Sequence, residues 1–221
     1  MILRHSYSSL KEFDNCPKRY HHTRIIKDVK DVGGEASIYG DRVHKALEER
    51  VRDGVALPDD LEKHEPLCAA ISGMPGKVYA ELELALDKNL NPAGWWDDSA
   101  WIRSKLDVFV DAGKKALIAD YKTGKRRPDF FQLEVSAAQV FIHYPEVQAI
   151  QTAFLWLKES TRDDEPYYRK DLQRILDKMG AKIDRIEAAV VDDVWPAKPS
   201  GLCGYCPAKD ICSFAQKYRR R

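Results

Sequence analysis

Four cysteines, one near the amino terminus and three near the carboxyl terminus, are the residues whose type and spacing point most directly to chemistry. They are Cys16, Cys203, Cys206 and Cys212. Glycine and proline surround the C-terminal C-x2-C-x5-C run, which indicates a turn with little core in which thiols could be buried. The C-x2-C spacing therefore indicates metal ligation. If all four thiolates bind one centre, residues 1–30 and 195–221 form a clasp around the segment between them.

The number of ligands leaves the nature of this centre open. Either a tetrahedral zinc ion or an iron–sulfur cluster accepts four thiolates. Thiols packed as small hydrophobes are another interpretation, and disulfides are a third. No signal peptide opens the chain to indicate the oxidising compartment that disulfides need. The fifth cysteine, Cys68, lies in an apolar helical stretch and is predicted to be a core residue.

A second set of residues, in the middle of the chain, could bind a hard cation. Asp107 and Asp120 are predicted on successive strands, and Lys122 projects to the same side of its strand as Asp120. Carboxylates on one sheet face suit a divalent cation such as Mg²⁺, which can activate water and offset charge on a phosphoryl oxygen. His44, on a predicted helix, could add a ligand. Alone, a D-x-K pattern or a helical histidine is common on surfaces that do no chemistry.

Hydrophobic periodicity predicts the elements that position these residues. A capping box at Ser9 predicts the start of a short first helix. Helical spacing predicts further helices at residues 37–52, 60–71, 129–141 and 170–191. Alternation predicts strands at residues 78–86, 102–110, 115–122 and 147–157, with a turn at residues 111–114. Val78, Leu82 and Leu84 are predicted to share one face. Because a helix joins the third strand to the fourth, a parallel crossover is expected. The fold class is α/β, with a mixed sheet flanked by helices.

The composition limits what the chain can be. The 221 residues contain no Gly/Ser-rich or Pro-rich linker, which favours one domain over residues 1–221. No apolar run approaches the roughly 18 residues of a membrane span, so we expect a cytoplasmic protein without membrane contact. With 36 basic and 35 acidic residues, the net charge of +1 excludes a protein that coats nucleic acid electrostatically. The basic run at residues 217–221 fits a solvated tail as well as a phosphate contact.

Two further groups could contact nucleic acid. Trp95, Trp96 and Trp101 surround a loop with proline and glycine, and could stack on unpaired bases. Such a cluster more often packs over its own loop. Lys125 and Arg126 could contact a phosphate backbone or form a solvated turn. Any nucleic-acid contact is therefore predicted to be local.

Taken in order, these motifs resemble the PD-(D/E)XK nucleases of the RecB-like group, and more narrowly its iron–sulfur branch. That branch includes the CRISPR-associated RecB-like exonucleases and AddB-type nuclease domains. The motifs are Ser8-Ser9-Leu10 with Cys16-Pro17, Gly40-x3-His44, Lys-Leu-Asp107-Val, Asp120-Tyr-Lys122-Thr-Gly, Gln132-Leu and the C-terminal cysteine run. Each motif is weak alone, and their joint order is specific.

The resemblance implies a restriction-endonuclease-like core that cuts DNA, single-stranded or at its ends, with Mg²⁺ or Mn²⁺. By position, His44 matches the family's motif histidine, and Asp107 and Asp120 match its metal-binding acids. Lys122 matches the catalytic lysine. Glu81 stands where members often carry an acid on the preceding strand, and is expected to be a ligand or a support.

The resemblance also implies substrate contacts. Gln132 matches the glutamine of the family's Q-x3-Y motif, although Ser136 stands in the place of the tyrosine. Together with Tyr121, Lys125 and Arg126, Gln132 is predicted to contact the substrate.

The four cysteines match the family's cluster ligands, which favours a structural [4Fe–4S] cluster over zinc. The implied protein is an exonuclease of recombination, repair, phage DNA metabolism or CRISPR adaptation, in a prokaryotic or phage-infected cell. Since the chain has no P-loop, any helicase motor would be a separate polypeptide. A helicase or an integrase could be a partner. The alternative is a non-catalytic nucleic-acid-binding or assembly module with structural zinc. The joint presence of Asp107, Asp120 and Lys122 favours the enzyme.

Overall fold

The computed structural model of the chain describes residues 3–218, with side chains described up to residue 215. The end of the predicted clasp and most of the basic run therefore lie outside the described residues. The chain divides into two units. One contains Gly34–Asp177 with the segment that ends at Arg4, and the other contains His5–Gly33 and the chain from Lys178 onward.

Seven strands and seven α-helices make up the regular structure of the described residues. The strands are β1 (His5–Ser6), β2 (Lys77–Leu86), β3 (Pro92–Ala93), β4 (Ile102–Ala112), β5 (Lys115–Lys122), β6 (Ala149–Trp156) and β7 (Thr161–Tyr168). The α-helices are α1 (Tyr7–Asn15), α2 (Pro17–Tyr20), α3 (Glu35–Asp53), α4 (Glu65–Ser72), α5 (Phe131–His143), α6 (Leu172–Asp192) and α7 (Ser213–Tyr218). Shorter 3₁₀ or π turns occupy His21–Ile25, Asp59–His64, Arg169–Asp171, Gly201–Tyr205 and Pro207–Asp210.

The first unit contains a mixed sheet in the strand order β3-β2-β4-β5-β6-β7. The β5–β6 pair is parallel, and the other neighbours in this order are antiparallel. Helix α5 connects the two parallel strands, because a parallel pair needs a crossover rather than a hairpin. The predicted mixed sheet and its crossover are confirmed.

Two buried clusters lie on the two faces of this sheet. On one face, α5 packs Leu133 and Phe141 against the strands. On the other, α3 and α4 contribute Val43, Leu47 and Cys68, which confirms the prediction that the fifth cysteine is a core residue. Burial of these apolar side chains at about 25 cal/mol per Å² holds the sheet between the helices. The carboxyl end of β5 is thereby fixed between α3 and α5.

The alternation of β2 and β4 changes face in mid-strand. Leu82 and Leu84 pack with the α5 cluster, whereas Val78 packs with the α3 and α4 cluster. The prediction that these three residues share one face is therefore wrong. The reason lies at Glu81, whose φ of 55° is left-handed and breaks the regular pleat of the strand. Its neighbours Ala80 and Leu82 are paired with β4, but Glu81 itself is not.

The second unit combines segments from both ends of the chain. Trp195 stacks on Tyr20 and His21, with ring centroids 6.3 and 4.8 Å apart. Asp14 accepts hydrogen bonds from Lys182 and from Arg185, the latter at 2.9 Å. The predicted capping box at Ser9 is wrong in register, because the side chain that caps α1 belongs to Ser6 and Ser9 is its reciprocal partner.

Two other features of the structure differ from the sequence predictions. The stretch predicted as a helix at residues 60–71 is a 3₁₀ turn followed by α4. Strand β7 was not predicted, because it is an edge strand with charged residues and Pro166, and only Tyr167 is buried on it. No helix among the described residues is both long and apolar enough to cross a membrane.

Candidate active site

The site forms where the β4–β5 hairpin opens into a fork. Pairing between the two strands ends at Val108 and Ala119, while β5 continues beside β6 as far as Lys122. The opening leaves the backbone N–H of Tyr121 without a backbone carbonyl partner on β4. The Asp107 carboxylate accepts that N–H at 2.7 Å, so the aspartate is fixed at the base of the fork. A buried N–H requires such a partner, which explains an acid at this position.

A potential metal-binding group lies on the α3 side of the fork. His44, Glu81 and Asp107 each offer one ligand atom, and these atoms lie within 4.8 Å of one another, which no other trio of such residues achieves in the described part of the chain. His44 Nδ1 is 3.2 Å from Asp107 Oδ1. The group lines a cleft of about 480 Å³. One imidazole and two carboxylates form a donor set that fits a divalent cation with room for water or substrate.

Asp120 and Lys122 lie on the next strand, on the side of α5. The Lys122 ammonium is 2.6 Å from Asp120 Oδ2 and donates to Gln132 Oε1 at 2.9 Å. The Gln132 amide also donates to Asp120 Oδ1. Asp120 Oδ2 is buried and has no other donor among the described residues. A buried carboxylate oxygen with one neighbouring cation and no further donor suits a metal ligand.

The electrostatics of the site favour capture of a positive charge. Burial, followed by the nearby charge of Asp107, raises the pKa of Asp120 to about 6. Burial also raises the pKa of Glu81, and the charge of Asp107 adds to this effect. For His44, burial opposes protonation, but the hydrogen bond and charge of Asp107 outweigh it and raise the pKa. The carboxylates therefore repel one another, and a cation among them relieves the repulsion.

The backbone of Glu81, one of the three potential metal ligands, is strained because its conformation is left-handed. A non-glycine residue in this conformation costs about 1 to 2 kcal/mol, and such strain concentrates at functional sites. Glu81 lies opposite Asp107 in the register, and the Lys105 ammonium neutralises its carboxylate. The strain places a third potential ligand beside His44 and Asp107.

This geometry predicts an unusual order of stability for two variants. In a regular strand, a protein with glycine is less stable than the same protein with alanine by about 0.5 to 1 kcal/mol. At residue 81 we expect Glu81→Gly to be more stable than Glu81→Ala by about 1 kcal/mol, because only glycine adopts a positive φ without strain. Urea denaturation of both variants measures the difference. The same pair at Glu83, on the same strand, is the control and should show the ordinary order. Equal stability of the two residue-81 variants would contradict the left-handed conformation.

The predicted substrate contacts have different positions. Gln132 holds Asp120 and Lys122 together, so its side chain positions the site. Tyr121 is 2% exposed and packs edge-on against His44, so the prediction that it contacts substrate is wrong. The side chains of a strand alternate, and that of Tyr121 points into the core between α3 and α4. Lys125 is exposed, whereas Arg126 is paired with Asp163 at 2.9 Å.

Lys45, Glu48 and Lys105 line the cleft and were not among the residues predicted for the site. Lys105 pairs with Glu81, Glu48 pairs with Lys45 and Arg52, and all but Arg52 line the cleft. Two spacings could have revealed two of these residues: Lys105 is two residues before Asp107 on a strand, and Glu48 is four residues after His44 on a helix. Ser136, in the place of the family's tyrosine, donates a hydrogen bond to the backbone carbonyl of Gln132 at 3.2 Å.

The four predicted cluster cysteines line one cavity in the second unit. Backbone N–H groups approach two of the sulfurs, Lys198 N to Cys16 Sγ at 3.5 Å and Ser200 N to Cys203 Sγ at 3.3 Å. Among the described residues, however, no three of these sulfurs meet within 4.8 Å. Four thiolates on one zinc ion would lie about 3.8 Å apart, given Zn–S bonds of about 2.3 Å. Four thiols that line one cavity are a donor set that fits a thiolate-bound metal centre, either zinc or iron–sulfur.

The forked hairpin, the histidine and acids at its base and the adjacent lysine define an α/β protein with a site suited to a divalent cation. A family model described as the PD-(D/E)XK nuclease superfamily matches residues 4–100 and 75–213, which together cover most of the chain. The chain belongs to the PD-(D/E)XK nuclease superfamily. Membership implies a metal-dependent hydrolase of phosphodiester bonds in nucleic acid.

Two solved structures share this fold. The crystal structure of SSO0001 is 14% identical, with a TM-score of 0.53, and the match covers 96% of this chain and 87% of that chain. A "putative exonuclease" from Eubacterium rectale is 15% identical, with a TM-score of 0.52, and covers 97% of this chain and 88% of that chain. At these identities the likeness shows the fold. No curated protein matches the chain in sequence.

Proposed function

We propose that the protein is a Mg²⁺- or Mn²⁺-dependent DNA exonuclease that acts on single strands or DNA ends. The observation that carries this proposal is the convergence of His44, Glu81 and Asp107 in one cleft, beside Asp120 and Lys122, in a member of a nuclease superfamily. The neighbour described as a "putative exonuclease" supports the mode of cleavage. Recombination, repair, phage DNA metabolism and CRISPR adaptation are the processes that such an activity would serve.

The chain's own residues have distinct roles in this proposal. His44, Glu81 and Asp107, with Asp120 on the neighbouring strand, would hold a divalent cation. When bound, this cation would supply Lewis-acid stabilisation of charge on the phosphate and acidify a water molecule. Its imidazole ligand is softer than Mg²⁺ prefers, so we expect Mn²⁺ to bind more tightly.

Lys122 has the geometry of a group that acts on the reacting atoms. An ammonium has three N–H donors, and Asp120 and Gln132 engage two of them. The third donor can be offered to an attacking water or to a phosphoryl oxygen. Because Asp120 and Gln132 fix the ammonium before substrate arrives, it needs little reorganisation during the reaction.

The second unit would carry a structural [4Fe–4S] cluster bound by Cys16, Cys203, Cys206 and Cys212. Their common cavity and the N–H groups directed at two of the sulfurs support this assignment. The candidate groups for hydrolysis all belong to the first unit, so the cluster would act on stability and not on the reaction.

One experiment tests the proposed activity directly. The full chain, purified without oxygen, is incubated with end-labelled single- and double-stranded DNA in Mg²⁺, Mn²⁺ or EDTA. We expect cleavage from an end with either metal, faster on single strands, and none in EDTA. Binding without cleavage in every metal, by a colourless protein that contains zinc, would instead support a non-catalytic binding module.

Replacement of Lys122 tests its role. We expect Lys122→Met to lower the cleavage rate about 100- to 1,000-fold, because the variant loses the donor that stabilises charge in the transition state. Initial rates at saturating Mn²⁺ measure the effect. Lys114→Met, at the exposed turn of the same hairpin, is the matched control and should cleave at the wild-type rate. A Lys122→Met variant of normal activity would remove the lysine from the mechanism.

A further inference from the structure

The loop that follows β3 presents two tryptophans at an exposed turn. Asp97 accepts the backbone N–H of Gly94 at 2.6 Å, and Asp97 N donates to Gly94 O at 3.1 Å, so the turn is closed from both sides. A Cβ at Gly94 would lie 2.7 Å from an Asp97 carboxylate oxygen, which explains the glycine. The turn places Trp95 and Trp96 at its tip. Trp96 is 78% exposed, an unusual position for the largest apolar side chain.

Arg103 of β4 packs against both indole rings. Its guanidinium carbon is 5.1 Å from the centre of the Trp95 ring and 5.6 Å from that of Trp96. Its Nε and Nη2 atoms are buried and have no hydrogen-bond partner within residues 3–215. Leaving buried donors unpaired costs about 1 to 3 kcal/mol per group. A loop closed for its own stability would provide an acceptor here, so the cost points to a use other than packing.

The position of Arg103 connects this loop to the candidate active site. Ser104 and Leu106 of β4 face α5, where the Ser104 hydroxyl is hydrogen-bonded to the amide of Gln139 at 2.7 Å. Alternation therefore places Arg103 on the same face of the strand as Asp107. The separation of four residues corresponds to about 13 to 14 Å. A stacked strand covers this distance with about four nucleotides, and an extended strand with fewer.

We infer that Trp95, Trp96 and Arg103, here called the tryptophan platform, form a subsite that stacks an unpaired base of a single-stranded DNA whose backbone reaches the cleft. The inference rests on the proposed nuclease function for its substrate class. The exposed face of Trp96 offers the stacking surface, and Arg103 stiffens it from behind by cation–π contact. Stacking accepts any base, so the platform gives affinity for unpaired strands without sequence preference. Paired bases are already stacked, so duplex DNA would not use it.

The test measures binding in EDTA, which makes it independent of cleavage. Anisotropy titrations use a labelled oligothymidine and a series in which one abasic site moves along the strand. We expect one or two abasic positions to weaken wild-type binding about 5- to 150-fold, the value of one stacked base. Trp96→Ala should lose that factor on the intact strand and become insensitive to the abasic sites. Trp96→Phe should retain most of the affinity, and Tyr168→Ala, at another exposed aromatic residue, should retain all of it.

The outcomes separate this inference from the proposed function. A Trp96→Ala variant that binds like wild type, or that weakens equally on duplex DNA and on every abasic strand, would overturn the platform. If the wild type shows abasic sensitivity but cleaves no DNA with Mg²⁺ or Mn²⁺, the platform holds and the nuclease proposal fails. If it cleaves single strands without abasic sensitivity, the nuclease proposal holds and the platform fails.

Discussion

Asp120→Asn should lose at least about 1,000-fold of the nuclease rate while the metal-free protein becomes more stable at neutral pH. The rate falls because the variant loses a buried carboxylate that the proposed cation needs, and 1,000-fold corresponds to about 4 kcal/mol of transition-state stabilisation. Stability rises because burial and the charge of Asp107 raise the pKa of Asp120 to about 6 in the folded state. At neutral pH the folded protein therefore holds a negative charge on Asp120, and this charge lowers its stability.

The direction of the pH dependence follows from the raised pKa. A carboxyl group that holds its proton more tightly when folded stabilises the fold below its unfolded pKa, near 3.9. That contribution is lost as the pH rises through about 6. We expect wild-type stability in EDTA to fall by up to about 3 kcal/mol between pH 4 and pH 7 through this residue. Asp120→Asn should lack this fall, because asparagine does not titrate.

Urea denaturation across this pH range, with parallel rate measurements in Mn²⁺, checks both effects. Asp111→Asn carries the same substitution at the turn of the same hairpin, where the side chain bonds the N–H of Gly113. Asparagine can keep that bond, so we expect wild-type rate and pH dependence in this control. An active Asp120→Asn protein would remove Asp120 from the site, and an inactive but less stable one would refute the electrostatic cost.

Cys203→Ala should lose the brown colour and the bound iron of the anaerobically purified protein, and its second unit should become less stable. The physical reason is linkage: a centre that binds only the folded chain contributes its binding free energy to folding. Loss of one of four thiolates removes much of that free energy, on the order of several kcal/mol. Iron and sulfide analysis, visible absorbance and thermal unfolding measure the effects.

The fifth cysteine provides the matched control for this prediction. Cys68 is 0% exposed and belongs to the first unit. It is not among the residues that line the cavity of the other four cysteines. Cys68→Ala should keep wild-type colour and iron and lose about 1 kcal/mol of packing stability. If the wild type contains zinc and no iron, the proposed cluster is wrong and the centre is a structural zinc ion. A Cys203→Ala protein with the wild-type iron content would exclude that cysteine as a ligand.

The sequence predicted the elements better than their faces. The period of the apolar residues located α3, α5, α6 and the strands of the hairpin, because amphipathic elements must bury one side. It did not reveal that Leu82 and Val78 face opposite sides of the sheet, since the cause is a single left-handed residue, Glu81. Edge strand β7 was also missed, because a strand with one buried residue lacks an apolar period.

For the candidate site as well, the sequence predicted the residues better than their arrangement. His44, Asp107, Asp120 and Lys122 could be named from residue type, spacing and family resemblance, because metal and phosphate chemistry requires groups of these types and the family's motifs occur in this order along the chain. Their arrangement could not: the trio that converges is His44, Glu81 and Asp107, with Asp120 held by Lys122 and Gln132 on the next strand. Tyr121 shares the motif but is buried, because adjacent residues of a strand point to opposite faces.

The sequence by itself determined which reactive side chains the protein has: four thiols near the ends of the chain, and acids with a lysine between them. These are matters of composition and local order, which the chain carries before it folds. Only the tertiary structure decided which groups meet. The hairpin opens at Asp107, and Glu81 adopts a strained backbone beside it. Trp95 and Trp96 pack against Arg103, which is four residues of strand, or about 13 to 14 Å, from Asp107. Each of these depends on contacts that form only when the chain folds, which no local pattern records.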